Sequence, residues 1–396
     1  MYISSETRLF IREHSTDDVR TLALQSKKYP DVDMPVAITQ IAGRQIAAEK
    51  IPSWKKIEDI RYPKHLSLEQ CSSEITAYYK AGLLQGDSLT DLTGGFGVDC
   101  SFLAEKFKSV TYVERQEELC GIAAHNFPIL DLNHINVKNE DGIAHLKAMS
   151  PVDCIFLDPA RRNEHGGKAV AISDCEPDVA ALEGLLLNKA KQVMVKLSPM
   201  LDLSLALREL QQTQEVHIIS VNNECKELLL ILGQTIPQEI KIHCVNLSTK
   251  GEQEGQHFTF TREQEQCSQC SYTDSLDEYL YEPNASLLKA GAFKSLSSAF
   301  PIRKLHPNSH LYTSDPLIDN FPGRIFRIVN QCSFNKKESK ECLADLKKAN
   351  ITIRNFPATV AELRKRIKLS EGGDTYLFAS TLNNEQKVLI RCEKIK

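Results

Sequence analysis

The alternation of apolar and polar residues predicts a central region in which short buried strands are separated by amphipathic helices. Leu89 and Leu92 flank two polar residues, as in a short strand. Strands that alternate with helices form parallel sheets, whereas late strands with little chain between them indicate an antiparallel edge. The predicted strands cover 88–92, 109–113, 135–137, 154–157, 192–197, 216–221 and 227–232, and a further hairpin is predicted within 241–260.

A glycine-rich turn, Thr93-Gly-Gly-Phe-Gly97, follows the first strand and precedes an amphipathic helix. Glycine reaches positive φ and lets the backbone approach a ligand closely, so this order indicates a nucleotide-cofactor loop. The third glycine of a dinucleotide fingerprint is missing, and Asp91 at the strand end would repel a pyrophosphate. A carboxylate there favours S-adenosylmethionine (SAM), which carries a positive amino group and sulfonium. NAD stays as the alternative cofactor.

Three further acidic residues follow the next three predicted strands. Glu114 directly follows the second strand, Asp141 comes shortly after the third, and Asp158 directly follows the fourth. Ligands of open α/β sheets bind at the carboxyl ends of the strands. The four acids are therefore expected at one edge of the sheet, with Glu114 placed to accept hydrogen bonds from a ribose diol.

These residues resemble the motifs of class I SAM-dependent methyltransferases, which have a Rossmann-like sheet of seven strands. The run from Asp91 to Gly97 matches their first motif, with Thr93 in place of the first usual glycine. The resemblance implies that the glycine pair lies against the methionine part of SAM, that Glu114 binds the ribose and that Asp141 lies near the adenine. The implied cofactor-binding residues are Asp91, Thr93, Gly95, Gly97, Glu114 and Asp141.

The run Asp158-Pro-Ala-Arg-Arg162 stands where this family has an Asp/Asn-Pro-Pro-aromatic motif beside the transferred methyl group. The resemblance implies that Asp158 and Pro159 hold an acceptor amine and are catalytic. Arg161 replaces the aromatic residue, and a guanidinium can stack on a base or clamp a phosphate. We therefore expect Arg161 at the catalytic site and Arg162 on the substrate; alternatively, both arginines pair with acids at the same sheet edge.

The segment 66–80 before the first strand is predicted to form one helix, with Ser67 as its N-cap and Gln70 as the capping-box partner. Because this helix leads directly into the first strand, its start could lie over the carboxylate of the cofactor. Gln70 and Ser73 are therefore candidate cofactor-binding residues. The alternative is that these polar residues only cap the helix.

Composition changes the picture only moderately. Hydrophobic residues make up 42% and charged residues 25% of the 396 residues, as in ordinary globular proteins. No apolar run approaches the ~20 residues that span a bilayer, the first residues lack a secretory pattern, and the 12 cysteines are scattered. These features predict a cytoplasmic protein with reduced thiols.

The C-terminal region is basic. The net charge of the chain is −4, yet residues 319–396 contain 16 Lys and Arg against 9 Asp and Glu. This excess is a hint of a nucleic-acid partner, and solvated surface lysines are the alternative. Cys267-Ser-Gln-Cys270 offers half of a zinc site at most. No second C-x-x-C exists, so no metal is expected.

The strand and helix pattern after residue 275 resembles the ferredoxin-like unit and THUMP-like domain attached to some bacterial methyltransferases. The same family has a Glu-Gln-Cys-Ser-Ser helix, which matches residues 69–73. THUMP domains are associated with tRNA binding, so the resemblance implies RNA (tRNA or rRNA) as partner. The candidate substrate-binding residues of this region are Arg364, Lys365, Arg366 and Lys368.

The predicted fold class is α/β, a Rossmann-like seven-stranded methyltransferase sheet with an N-terminal helical region and a C-terminal α+β region. The leading hypothesis is a SAM-dependent methyltransferase that modifies a base in RNA. A protein or small-molecule acceptor and a non-catalytic SAM- and RNA-binding protein are the alternatives. The predicted domains are a helical domain at 1–64, the methyltransferase domain at 65–260, a linker at 261–275, the ferredoxin-like unit at 276–318 and the THUMP-like domain at 319–396.

Overall fold

The computed structural model describes residues 3–161, 171–249 and 255–395. The chain divides into two compact units. The first consists of Met1–Gln214 and Leu228–Pro237, and the second of Glu215–Glu227 and Gln238–Lys396.

The first unit begins with helices, as the sequence predicts. Asp18 and Asp33 accept hydrogen bonds from backbone N–H groups in the first turns of two of these helices and so act as N-caps. Trp54 is buried and packs edge-on against Phe96 of the glycine loop, with ring centroids 5.1 Å apart. The helices are α1 (Ser5–Glu13), α2 (Val19–Leu24), α3 (Met34–Lys50), α4 (Pro52–Lys55), α5 (His65–Gln70) and α6 (Glu74–Ala81).

The single helix predicted over 66–80 is wrong. Cys71 and Ser73 have extended backbone conformations that separate α5 from α6. Lys64 precedes α5 and no side chain caps that helix, so the predicted capping box of Ser67 and Gln70 does not form. Serine side chains offer the backbone alternatives to helical hydrogen bonding, and Ser72 donates its hydroxyl hydrogen to the carboxylate of Asp99 instead.

Strands and helices then alternate as predicted. The elements are β1 (Ser88–Asp91), α7 (Val98–Ala104), β2 (Ser109–Glu114), α8 (Glu117–Ile129), β3 (Ile135–Asn139), α9 (Gly142–Ala148), β4 (Val152–Leu157), β5 (Ala160–Arg161), β6 (Cys175–Glu176), α10 (Val179–Lys189), β7 (Ala190–Leu197), α11 (Leu203–Glu209), β8 (Thr213–Val221) and β9 (Glu224–Gly233). Within the first unit the sheet order is β9-β7-β4-β1-β2-β3.

Strand β1 lies at the centre of this parallel sheet. Leu89 is paired with Val110 of β2 on one side and with Cys154 of β4 on the other. Strand β9 is antiparallel to β7, as predicted for the late strands, but in the strand order β8 follows it, so β9 is not an edge strand. Because β4, β1, β2 and β3 are parallel neighbours, their carboxyl ends lie along one edge of the sheet.

The second unit contains a parallel pair, β8 with β10 (Lys241–Leu247), and an antiparallel pair, β10 with β11 (Gln256–Thr261), which confirms the predicted hairpin. The later elements of this unit are α12 (Arg262–Cys267), β12 (Tyr279–Pro283), α13 (Ala285–Ala290), α14 (Phe293–Ala299), β13 (Arg303–Lys304), β14 (Tyr312–Ser314), β15 (Gly323–Ser333), α15 (Lys336–Cys342), β16 (Asn350–Ile353), α16 (Val360–Ile367), β17 (Thr375–Thr381) and β18 (Lys387–Lys394). The strands β12 to β18 form a separate seven-stranded sheet with the order β13-β14-β12-β15-β18-β17-β16.

None of the helices in the described part of the chain has the length and apolar character needed to cross a membrane.

Candidate active site

The four predicted acids follow the strand ends as the sequence indicates. Asp91 is the last residue of β1 and Glu114 the last of β2. Asp158 directly follows β4, and Asp141 is the N-cap of α9 just after β3. The parallel order of these strands gathers all four acids at one edge of the sheet.

The glycine loop owes its shape to close packing. Gly95 and Gly97 have positive φ of 56° and 86°, which favours glycine at both positions. A Cβ on Gly94 would lie 2.1 Å from the ring of Tyr112, whose hydroxyl donates to the Gly95 carbonyl at 2.6 Å. A Cβ on Gly95 would meet only a carbonyl oxygen at 3.8 Å. Gly94 therefore lets the loop pack on the sheet, and Gly95 borders open space.

Thr93 joins the glycine loop to the Asp158 motif. Its backbone N–H donates to Asp91 Oδ1 at 3.0 Å, and its Oγ1 accepts the Asp158 N–H at 2.6 Å. A glycine at this position would lack the second of these bonds. Burial raises the pKa of Asp91 well above its ordinary value, and the negative charges of nearby acids add to the rise.

Glu114 is fixed by two backbone groups. Its Oε2 accepts the N–H of Gly95 at 2.9 Å, and its Oε1 accepts the N–H of Gln116 at 2.8 Å. Each carboxylate oxygen has a second lone pair, so this orientation still allows two hydroxyl groups to donate. Asp141 is exposed and accepts the N–H of Ala144 at 2.9 Å.

Asp158 belongs to a largely buried group of polar and charged residues, and the sequence did not predict this grouping. We call it the charge cluster, and its members are Ser72, Lys80, Asp99, Asp158 and Lys196. Lys80 Nζ lies 3.0 Å from Asp99 Oδ1, and Lys196 Nζ lies 3.3 Å from Asp99 Oδ2 and 2.6 Å from Asp158 Oδ2. Ser72 Oγ donates to Asp99 Oδ2 at 2.7 Å and accepts from both lysines at 2.9 and 3.1 Å.

Burial and charge pairing have opposite effects on the pKa values of Asp99 and Asp158. Burial alone would raise the pKa of Asp99, but Lys80, Lys196 and the Ser72 hydroxyl together lower it below its ordinary value. Burial raises the pKa of Asp158, and Lys196 opposes this rise. Asp158 is the outermost of these carboxyls, with 36% of its side chain exposed, so it can meet a substrate.

One sequence signal could have identified the cluster. Lys196 interrupts the apolar run of β7, and a lysine in a buried strand requires a charged partner. Lys80 lies in α6, and its side chain is 0% exposed. Asp99 belongs to the first turn of α7. The residues that pair are far apart in sequence, which is why local patterns did not connect them.

Gln70 and Ser73 differ in their surroundings. Gln70 is exposed at the end of α5, and its side chain makes no hydrogen bond within the described residues. Ser73 is the N-cap residue of α6 without a capping side-chain bond, and its hydroxyl lies 3.3 Å from Thr76 Oγ1. Between them, Ser72 points into the charge cluster.

After Asp158 the chain continues through buried Pro159 into the short strand β5, which is antiparallel to β6. In this pair the backbone of Arg161 is opposite Cys175. Arg162 lies outside the described residues. The predicted role of this arginine pair therefore stays a prediction.

The basic residues of α16 and its C-cap residue Lys368 lie in the second unit. Lys365, Arg366 and Lys368 are exposed, and the Arg366 guanidinium lies over the ring of Phe334 at 4.1 Å from its centroid. Arg364 is half-buried and lies 3.9 Å from Glu371.

Three family models match separate parts of the chain. A ferredoxin-like domain matches residues 279–322, and a domain described as THUMP domain-like matches residues 323–394. A model of protein-L-isoaspartate(D-aspartate) O-methyltransferase matches residues 37–163, which include the glycine loop and Asp158.

A crystal structure from Porphyromonas gingivalis W83, described as that of an inferred methyltransferase, is 35% identical to the chain. The match covers 100% of both chains with a TM-score of 0.87. The chain belongs to this methyltransferase family. It is a class I methyltransferase with SAM as cofactor, and the C-terminal ferredoxin-like and THUMP-like regions confirm the resemblance drawn from the sequence.

Two more distant structures carry no argument about the enzyme. An rRNA methylase from Streptococcus thermophilus is 14% identical, with a TM-score of 0.30 over 40% of this chain and 93% of that one. An inferred methyltransferase from Streptococcus mutans in complex with SAH is 12% identical, with a TM-score of 0.30 over 40% and 96%. A comparison with curated proteins gives no match.

The residues at the sheet edge fit SAM. Gly95 has no side chain and borders open space, so a ligand can approach the backbone of the loop there. Asp91 supplies a buried carboxylate for a cationic group, and Glu114 supplies an oriented carboxylate for a diol. When bound there, SAM would supply an activated methyl group at this edge of the sheet.

Proposed function

We propose that the enzyme methylates a base in RNA. The observation that carries this proposal is the exposed basic end of α16, within residues that match a THUMP-like domain. Lys365, Arg366 and Lys368 present three cations there, and phosphate contacts by such groups dominate the affinity of proteins for nucleic acids. The excess of basic over acidic residues after residue 318 acts in the same direction.

For the cofactor, we propose the roles that the resemblance implies. Asp91 binds the amino group of SAM, Glu114 binds the ribose hydroxyls and Asp141 lies near the adenine. Thr93, Gly95 and Gly97 form the loop against the methionine part. Gln70 and Ser73 stay candidate cofactor-binding residues from the segment before β1.

For the acceptor, we propose that Asp158 accepts a hydrogen bond from a base amine, together with the Pro159 carbonyl. Lys196 holds Asp158 Oδ2 at 2.6 Å, which leaves Oδ1 for the acceptor and for the proton that the amine releases. Lys196 is thus a positioning residue, and such positioning supplies much of the acceleration when the methyl donor is already activated. Arg161 and Arg162 are proposed to contact the base or its phosphate.

A protein acceptor is the second candidate, and the match to the isoaspartate O-methyltransferase model favours it. That match covers residues 37–163 and so includes the cofactor loop. It does not extend to the THUMP-like region, which is why RNA is the preferred acceptor.

The enzyme is proposed to work in a reducing compartment such as the cytoplasm. All twelve cysteines are free thiols, in agreement with proteins from compartments in which disulfides are rare.

The decisive experiment measures methyl transfer from labelled SAM by the full chain to unmodified total RNA. We expect label that ribonuclease releases and protease does not, and strong loss of label with Asp158→Asn. Asp59→Asn is the matched control, because Asp59 lies in the first unit with 63% of its side chain exposed. Label released only by protease would contradict the RNA proposal and support the second candidate.

A further inference from the structure

Two histidines and a glutamate come together on neighbouring strands of the second unit. Glu215 and His217 are two residues apart on β8, and His243 on β10 is paired with His217 in the parallel register. Side chains alternate along a strand, so all three residues lie on the same face. They belong to the second unit.

The donor atoms of these three side chains converge. Glu215 Oε2 lies 3.4 Å from His217 Nε2 and 3.7 Å from His243 Nε2, and the three donor atoms lie within 4.8 Å of one another. The two imidazole rings are stacked, with centroids 4.5 Å apart and an angle of 10° between their planes. Because the two rings are stacked and both Nε2 atoms face the Glu215 carboxylate, the three donor atoms surround one point.

We propose that Glu215, His217 and His243 bind a divalent transition-metal ion such as Zn²⁺. Zinc binds imidazole nitrogen and carboxylate oxygen at about 2.0–2.2 Å in tetrahedral geometry, so its ligand atoms lie about 3.3–3.6 Å apart. The two distances from Glu215 already approach this range. Small side-chain rotations would complete the three-ligand site.

The fourth position is open to water. Glu215 is 41% exposed and His243 25% exposed, whereas His217 is only 3% exposed. The cluster therefore has a buried end and a solvent side from which an ion can enter. Two histidines and one carboxylate with an open position are a donor set typical of catalytic zinc and non-haem iron sites.

The surroundings orient His243 for this role. His243 Nδ1 lies 3.0 Å from Thr259 Oγ1 on β11, which leaves Nε2 directed toward Glu215. Metal-binding histidines commonly hold their second ring nitrogen in such a hydrogen bond. Thr259 is the cross-strand partner of His243, so the sheet itself fixes this contact.

A simple ion pair is a poorer explanation of the cluster. One carboxylate faces two imidazole rings that are stacked 4.5 Å apart, so protonation of both rings would place two like charges side by side. Neutral imidazole is the form that ligates metals. The sequence did not indicate this site, because the two histidines come from separate strands and lack the short spacing of zinc motifs.

The test is zinc binding by the full chain after chelator treatment and dialysis, measured by titration calorimetry and by metal content. We expect one ion per chain, and a loss of affinity of about 100-fold in Glu215→Gln and in His243→Ala, since even outer-shell changes weaken metal sites 10- to 100-fold. His257→Ala on β11 is the matched control and should bind like the wild type. Circular dichroism without metal shows whether each variant folds.

Cobalt substitution separates this site from the cysteines. Co²⁺ at a histidine and glutamate site gives ligand-field absorption without a thiolate charge-transfer band, and Cys267→Ser with Cys270→Ser should leave the spectrum unchanged. Zinc binding that is equal in the wild type and in Glu215→Gln, or a thiolate band that disappears with the two cysteines, would overturn the proposal.

Discussion

Lys196 Nζ lies between two carboxylates, 2.6 Å from Asp158 Oδ2 and 3.3 Å from Asp99 Oδ2. The lysine therefore connects the outermost acid of the site to the buried ion pair of Asp99 and Lys80. Only 9% of its side chain is exposed, so its charge is little screened by solvent. The position of Asp158 depends on this contact and on the Thr93 hydroxyl.

Replacement of Lys196 by methionine tests its positioning role. We expect kcat for methyl transfer to fall about 100-fold, because misplacing a reacting group by about 1 Å has an effect of this size. The dissociation constant of SAM should stay nearly unchanged, since Asp91 and Glu114 make other contacts. Calorimetry and single-turnover assays separate the two quantities.

The matched control is Lys191→Met on the same strand. Lys191 pairs with Asp153 at 2.7 Å, but 74% of its side chain is exposed, and exposed pairs contribute little. Lys191→Met should therefore retain wild-type activity. Equal losses in the two variants, or a parallel loss of SAM affinity in Lys196→Met, would contradict the assigned role.

Removing the charge of Asp99 should destabilise the first unit. Asp99→Asn takes away the carboxylate between two buried lysines, and breaking a buried pair lowers the free energy of unfolding by about 3–5 kcal/mol. Urea unfolding at neutral pH measures this change. Asp87→Asn is the control, because the ion pair of Asp87 with Lys108 is exposed, and it should have little effect.

The same pair of variants predicts a pH dependence. The pKa of Asp99 is lowered in the folded protein, so its contribution to stability is fully present above the unfolded value of about 3.9. That contribution is lost as the pH falls from there through the lower folded pKa. The difference between wild type and Asp99→Asn should therefore shrink in acid. A constant difference would mean that charge pairing is not its source.

The raised pKa of Asp91 predicts that SAM affinity increases with pH. Below its raised pKa the carboxyl is protonated and attracts a cationic amino group weakly, so the affinity should rise as the pH passes upward through that value. Calorimetric titrations from mildly acidic to mildly alkaline pH test this. Asp91→Asn should bind SAM more weakly and lose this part of the pH dependence; an identical pH profile in the variant would exclude Asp91 as the titrating group.

Gly94 should tolerate no side chain. Gly94→Ala would place a Cβ 2.1 Å from the buried Tyr112 ring, and overpacking of this kind destabilises by about 1–3 kcal/mol. SAM binding should fall as well, because the loop must move. Thermal unfolding with and without SAM measures both effects. Gly121→Ala on the exposed side of α8, where a Cβ meets nothing within 4 Å, should be neutral or stabilising.

Charge reversal on α16 tests the RNA surface. In the double variant Lys365→Glu, Lys368→Glu, RNA affinity should fall and the salt slope of log K should decrease by about 2, one for each lost phosphate contact. Filter binding over a range of salt concentrations measures the slope. The double variant Lys27→Glu, Lys28→Glu, at two exposed positions of the first unit, should behave like the wild type. If both double variants change the salt slope equally, the effect comes from net charge alone.

Local patterns predicted much of the enzyme. The sequence indicated strand β1, the glycine turn and the acids that follow the strands. An apolar strand and a glycine with positive φ are both determined by residues that are close together in the chain. The break in the helix predicted over 66–80 could not be found from local patterns. It goes with the contact of Ser72 with Asp99, a residue far along the chain.

The sequence by itself determined the α/β order, the cofactor loop and the residues that end the strands, since each depends on short-range periodicity and backbone preference. Only the tertiary structure joined Lys80, Asp99 and Lys196, and only the pairing of β8 with β10 brought His217 beside His243. The physical reason is that charge pairing and metal coordination depend on distances in space. Those distances are set by how the strands and helices pack, and the spacing of residues along the chain does not contain them.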